Sequence, residues 1–107
     1  MVVCRYENKL GYGPYKYAYT SDELEEMILE HDDESQWPLL TMDMLPEDSW
    51  DYYRCGFISL AAADKWFKGW HKTLRRDGFE LVVYTVRALL TEPDFAGQIA
   101  FDIRDVT

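Results

Sequence analysis

Carboxylates are the reactive groups that this sequence supplies in greatest number. The interval between Lys16 and Arg54 contains no lysine or arginine but twelve acids: Asp22, Glu23, Glu25, Glu26, Glu30, Asp32, Asp33, Glu34, Asp43, Glu47, Asp48 and Asp51. Paired carboxylates can act as general acid and base, but twelve in one interval single out no pair. The interval and the net charge of -9 instead predict a strongly negative surface.

The residues that commonly bind metals are poorly spaced for that purpose. His31 and His71 lie far apart, and neither Cys4 nor Cys55 has a second cysteine or histidine at ligand spacing. The run 31–34 lacks the central glycine of a calcium loop. We therefore expect no metal site, and we expect the two cysteines to be buried free thiols in a reducing cytosol, although a disulfide would also be compatible with them.

Motifs for cofactors, nucleic acids and membranes are also missing from the sequence. No serine stands in a nucleophile elbow, and Gly11 and Gly13 are not followed by the lysine of a phosphate loop. The negative charge disfavours direct nucleic-acid binding. No apolar run approaches the roughly 20 residues that span a bilayer, and the N-terminus does not resemble a signal peptide. We expect a cytoplasmic protein with no cofactor and no membrane contact.

Hydrophobic periodicity and turn residues predict an α+β fold in one domain, residues 1–107. Period-two patterns predict a small, mainly antiparallel sheet with strands near 2–7, 53–58, 79–88 and 98–104. Two or three helices pack on it, near 21–30 and near 60–68 or beyond. Thr20 and Glu23 have capping-box spacing at the first helix.

The stretch from Tyr53 to Val86 forms the expected centre of the fold. Ser59 is a good N-cap for a helix that carries Trp66 and Phe67, and we expect both rings to be largely buried between helix and sheet. Gly69 interrupts this helix, which either runs on or restarts before Gly78 stops it.

The last strand is expected to pair antiparallel with the strand before it, because the connecting turn is short. Alternation places Ile99, Phe101 and Ile103 inward. It places outward the residues Gln98, Ala100, Asp102 and Arg104.

Four segments together resemble small accessory proteins of bacteriophages and prophages. These segments are Arg5 on an opening strand, the G-x-G-P-Y loop 11–15, the G-F-x-S-x-x-x-A-x-x-W-F segment 56–67, and the G-Q-x-x-F segment 97–101. The resemblance implies a phage context, in which small acidic proteins often inhibit host defence enzymes such as CRISPR effectors or restriction systems.

A second resemblance is to the ADP-ribosyltransferase fold. Arg5 on the first strand and Ser59 before an alanine-rich helix look like two parts of that family's site. Gln98 stands roughly where the family has a glutamate, which stabilises positive charge on the ribose. The resemblance implies either an ADP-ribosyltransferase-like enzyme or an NAD-binding relic.

We interpret the chain as a non-enzymatic inhibitor or modulator that binds the basic, normally nucleic-acid-binding surface of a host protein. Ordered carboxylates can substitute for phosphates and speed the encounter. The expected contact residues are Glu25, Glu26, Asp32, Asp33 and Glu34, together with Tyr12, Tyr15, Tyr17 and Tyr19. Two alternatives remain: the acids only keep the protein in solution, and the tyrosines are one face of an edge strand. The sequence does not specify the oligomeric state.

Overall fold

Four strands and three helices make up the part of the chain that the structure, a computed structural model, describes: residues 1–15, 21–33 and 45–107. In chain order they are β1 (Val2–Glu7), α1 (Asp22–Asp33), β2 (Tyr53–Phe57), α2 (Leu60–Trp66), α3 (His71–Arg76), β3 (Glu80–Thr85) and β4 (Gln98–Asp102). Short 3-10 turns span Glu47–Ser49 and Ile103–Asp105. The antiparallel sheet with three helices confirms the predicted α+β fold.

The strand order is β3-β1-β2-β4, with every pairing antiparallel. The expected pairing of β3 with β4 is therefore wrong. The connection between them lies along the outer edge of β4, where the Leu90 amide donates to the Ala100 carbonyl at 2.8 Å. On the same edge, the Ala100 amide donates to the Thr91 hydroxyl at 2.9 Å. The connecting segment thus occupies the position in which β3 would have had to pair.

Burial of β4 also differs from the predicted alternation. All five of its residues are buried, so the expectation that Gln98, Ala100 and Asp102 face solvent is wrong. β2 bonds to one edge of β4, and the connecting segment bonds to the other. Side chains on both faces of β4 are also buried. Arg104 is exposed as expected, but it lies in the 3-10 turn after the strand.

The central unit forms as predicted, with a break at Gly69. The Ser59 hydroxyl accepts the Ala62 amide at 3.1 Å and caps α2. Gly69 has a φ of +88°, a conformation that side chains other than glycine rarely adopt, so the helix stops and α3 begins at His71. Gly78 has a φ of +89° and ends α3.

The helices cover one face of the sheet and bury its aromatic side chains. Trp66 and Phe67 are both buried, which confirms the expectation for the two rings. They form the main core with residues from β1, β2, the three helices and the position before β3: Cys4, Tyr6, Leu24, Met27, Phe57, Ala63, Leu74 and Phe79. The opposite face has a smaller core of Val3, Val86, Ile99 and Phe101, covered by Leu89 and Val106.

Both cysteines are free, but only one is buried. Cys4 lies inside the main core, where burial raises the pKa of its thiol. Cys55 is exposed, so the expectation of two buried thiols is wrong for this residue. The two thiols are not joined, and the fold is built without a disulfide between them.

Candidate functional site

Helix α1 presents an acidic outer face on a firmly attached backbone. Ser21 begins the helix, with its hydroxyl accepting the Leu24 amide at 3.3 Å and donating to the Asp77 carboxylate. Thr20, the predicted cap, lies outside the described residues. The inner seam of Leu24, Met27 and Ile28 is buried. The residues that alternate with this seam are therefore held at the surface.

The acidic face consists of Asp22, Glu25, Glu26 and Leu29, which share one side of the helix at the spacing i, i+3, i+4 and i+7. All four are exposed, and the Leu29 side chain is 57% accessible. In the part of the chain that the structure describes, none of the three carboxylates makes an ion pair. An exposed apolar side chain next to free carboxylates is a chemistry suited to protein contact.

Two further acids of α1 contact Arg76 of α3 and Trp70, the residue before α3. Glu23 binds the Arg76 guanidinium, and this exposed pair raises the pKa of Arg76. Glu30 accepts the indole N–H of Trp70 at 2.9 Å. These contacts tie both ends of the helix to the rest of the protein, and they leave the acidic face between them unobstructed.

A buried polar network anchors the C-terminal end of α1. The Trp66 indole donates to the Tyr15 hydroxyl at 2.7 Å, and that hydroxyl lies 2.8 Å from His31 Nδ1. His31 Nε2 lies 3.0 Å from the Trp66 carbonyl. A carbonyl only accepts, so His31 Nε2 carries a proton and donates it to the Trp66 carbonyl. Sequence reasoning missed this network because its members are far apart in the chain and share no motif.

The expected contact residues divide among several environments. Glu25 and Glu26 are exposed on the acidic face. Glu34, Tyr17 and Tyr19 lie outside the described residues, as do the side chains of Asp32 and Asp33. Tyr12 is half-buried, and Tyr15 points into the network just described. Burial raises the pKa of the Tyr15 phenol, which keeps its hydroxyl protonated and able to donate. The Tyr15 hydroxyl is therefore engaged inside the protein.

The three residues of the ADP-ribosyltransferase resemblance do not share a face of the sheet. Phe57 is directly opposite Cys4 on one side and Gln98 on the other. Directly opposed residues point to the same face of a sheet, so Gln98 lies on the face of Cys4. Arg5 follows Cys4 and points to the opposite face.

Structural contacts already occupy the side chains of Arg5 and Ser59. Arg5 is buried and donates to the carbonyls of Gly11 and Cys55, both at 3.2 Å. Its Nε lies 3.1 Å from the Glu7 carboxylate. Burial lowers the pKa of Arg5, and Glu7 opposes that effect. Ser59 caps α2, so in this arrangement both side chains stabilise the fold.

We therefore expect NAD to leave the melting temperature of the protein unchanged. A ligand that binds only the native state must stabilise it, and residues on opposite faces of a sheet cannot enclose one dinucleotide. Thermal denaturation with and without excess NAD measures this. A clear rise in melting temperature with NAD, lost in Arg5→Ala, would support the ADP-ribosyltransferase alternative instead.

A second polar cluster joins β1 to the helices. The Tyr6 hydroxyl bonds His71 Nδ1, and His71 Nε2 lies 3.7 Å from the Asp64 carboxylate. Tyr6 is buried, and burial raises the pKa of its phenol. The cluster resembles a proton relay in composition, but its inner end is enclosed by core side chains. In the described ranges no group of three or more acids, histidines or cysteines is arranged to hold a metal ion.

A groove of about 860 Å³ lies between α2 and the turn before β4. Its lining mixes apolar and charged side chains. The apolar ones include Ile58, Ala62, Trp66, Trp70 and Phe95, and the polar ones are Glu30, His31, Lys65, Lys68 and Asp94. Sequence reasoning missed the groove, because it forms only when the turn packs on the outer side of α2. Its volume is in the range of small-molecule sites, although the groove is open to solvent.

A family model described as "Bacteriophage T4 Y00F protein" matches residues 1–107. The chain belongs to this family. Membership in the Y00F family confirms the expectation of a bacteriophage protein. No curated protein and no solved structure gives a significant match to the chain. In the described residues of this Y00F-family protein, no helix has the length and apolar character needed to cross a membrane.

Proposed function

We propose that this phage protein is a non-enzymatic inhibitor or modulator that binds a basic surface of a host protein through its acidic face. The observation that supports this proposal is that Asp22, Glu25 and Glu26 share one helical face with the exposed Leu29, on a helix whose other side is buried. The host target is a nucleic-acid-binding protein, such as a defence effector, in the bacterial cytoplasm.

Electrostatics supports a basic partner. The protein carries 20 acids against 11 lysines and arginines, so its long-range field attracts cationic surfaces. A protein surface that binds nucleic acid already carries lysines and arginines placed for phosphates. Carboxylates fixed on one helical face can occupy some of those positions, and the helix backbone limits the conformational entropy lost on binding.

The apolar residue in the acidic face gives the proposed contact an anchor. Charged rims mainly accelerate association and select the partner, whereas a buried apolar side chain contributes more to residence time. Leu29 is 57% exposed although it belongs to a helix with a complete buried seam. An acidic surface serving only to keep the protein in solution would not require an exposed leucine on the same helical face.

Neutralising Glu25→Gln and Glu26→Gln together is expected to weaken host-protein binding chiefly by slowing association. Both side chains are exposed and outside the core, so the melting temperature should stay nearly constant or rise through relief of like-charge repulsion. The measurement is retention of host proteins from a bacterial lysate on immobilised protein, followed by association kinetics with the retained partner. Wild-type binding should also weaken with salt, which screens exposed charges over about 8 Å at physiological ionic strength.

The matched control changes two exposed acids elsewhere, Glu47→Gln and Glu92→Gln, which alters net charge by the same amount. If both double variants slow association equally, overall charge is responsible and the acidic face has no specific role. If neither variant changes the rate or the affinity, the acids only maintain solubility and the proposed surface is wrong. Leu29→Ala should instead raise the dissociation rate, with little change in association.

A further inference from the structure

The hydrogen-bond pattern of β3 determines which of its peptide groups face away from the sheet. The N-terminal amine of Met1 donates to the Val86 carbonyl, and the Val86 amide donates to the Met1 carbonyl, both at 2.8 Å. In an antiparallel ladder such exchanging pairs alternate with non-bonded pairs. The register from Val2↔Thr85 to Glu7↔Glu80 then directs the peptide groups of Glu80, Val82 and Tyr84 towards β1. Those of Leu81, Val83 and Thr85 point outward.

The two edges of the sheet are protected to different degrees. The outer edge of β4 is bonded by Leu90 and Thr91. On β3, the Thr107 amide donates to the outward Thr85 carbonyl at 2.9 Å, and Val106 forms a bridge with Val86. The rest of this edge, from Val83 to Glu80, is different. Among the described residues, no backbone group bonds the outward amides and carbonyls of Leu81 and Val83. Unpaired edges of this kind are templates for another strand.

We propose that a second copy of this chain pairs with this edge, β3 against β3, to form a two-fold dimer with a continuous eight-stranded sheet. With Val82 opposite Val82 of the other copy, Leu81 and Val83 form two equivalent exchanging pairs. This register forms four hydrogen bonds and avoids the edge positions that Val106 and Thr107 occupy. Because the opposed residues differ by an even number, both copies keep their helices on the same side of the sheet.

Side chains and charge favour self-pairing in this register. Val83 is 59% exposed on an edge strand, and it would pack on Leu81 of the other copy. Residues 81–86, Leu-Val-Val-Tyr-Thr-Val, carry no charge in a chain whose net charge is -9. Glu80 falls opposite Tyr84, and the two Glu80 residues are separated by four strand positions, about 13 Å. That separation exceeds the screening length of about 8 Å at physiological salt.

Sedimentation equilibrium over a wide range of protein concentrations tests the dimer. The wild-type chain should show a monomer–dimer equilibrium. Val83→Lys should weaken it roughly tenfold or more, because an edge lysine opposes strand addition and would meet its symmetric counterpart nearby. Ala88→Lys adds the same charge at an exposed position after β3 and should leave the equilibrium nearly unchanged. A chain that stays monomeric throughout, or dimers equally sensitive to both variants, would overturn the proposal.

Amide hydrogen exchange gives a second readout that a different interface would not reproduce. Protection of the Leu81 and Val83 amides should rise with protein concentration. The amides of Val82 and Tyr84 should be protected at every concentration, because they already bond to β1. Concentration-dependent protection elsewhere, with Leu81 and Val83 still exchanging freely, would place the interface on another surface. Residues of the acidic face are not involved, so the outcome is independent of host-protein binding.

Discussion

Replacing Phe67 by alanine is expected to lower the free energy of unfolding by about 3–5 kcal/mol. The Phe67 side chain is 2% exposed, and its ring centroid lies 5.0 Å from that of Tyr6 and 5.7 Å from that of Phe57. The substitution deletes a large apolar group where the helices meet the sheet, and its well-packed neighbours can fill the cavity only in part. Chemical denaturation of the two proteins measures the difference.

Phe95→Ala is the matched control for Phe67→Ala. It removes the same atoms from a side chain that is 74% exposed. The loss there should stay within about 0.5 kcal/mol, as at other surface positions. A loss below about 1 kcal/mol for Phe67→Ala would contradict its central place in the core.

The second large effect is expected for Tyr15→Phe, with a loss of roughly 2–4 kcal/mol. The substitution keeps the ring but removes the hydroxyl that joins the Trp66 indole to His31 Nδ1. Both partners lie in the interior, where an unsatisfied polar group loses its interaction with water without replacement. Denaturant titration should show the loss, and the NMR signal of the Trp66 indole proton should move.

Tyr53→Phe provides the comparison, because its hydroxyl makes no described hydrogen bond and its side chain is half-buried. Its effect on stability should be small. If Tyr15→Phe is equally mild, water or a neighbouring group replaces the hydroxyl and the network contributes little to the anchoring of α1.

Local patterns predicted the elements of this fold better than their arrangement. The cap at Ser59, the break at Gly69 and the burial of Trp66 and Phe67 follow from side-chain chemistry within one or two helical turns. The pairing of β4 does not. A short connection between two strands favours a hairpin, but the connection here uses Leu90 and Thr91 to bond to β4 itself. Nothing in the sequence of either strand indicates that the connecting segment, and not β3, bonds to the outer edge of β4.

The segments that carry the phage-protein resemblance turn out to be positions of close packing. A side chain at Gly56 would place its Cβ 2.8 Å from the Cys4 carbonyl, so β1 and β2 approach closely only with glycine there. At Gly97, where φ is +79°, a Cβ would lie 3.0 Å from the Cβ of Ala62. The Gly11 carbonyl accepts from Arg5. These residues stabilise the fold, which explains why their pattern did not indicate a chemical reaction.

The candidate site could be predicted only in part. The acids of α1 were visible as a charge pattern, and helix periodicity placed Glu25 and Glu26 away from the apolar seam. The sequence analysis did not single out Leu29, although the same periodicity places it with Glu25 and Glu26 and not with the apolar seam of Leu24, Met27 and Ile28. The Tyr15–His31–Trp66 network forms where three distant segments of the chain meet. Contacts between distant segments leave no pattern in the local sequence.

The central position of β1 affects how the protein is assembled during synthesis. Val3 pairs with Tyr84, and Cys4 pairs with Phe57, so both neighbours of the first strand come from much later in the chain. Pairing over such separations requires closure of long loops, which moves folding from the microsecond range of small helical proteins towards roughly milliseconds to seconds. The apolar face of β1 therefore stays without its strand partners while α1 is synthesised. The strand at the middle of the sheet is therefore synthesised first and gains its second neighbour only after about four fifths of the chain has been translated.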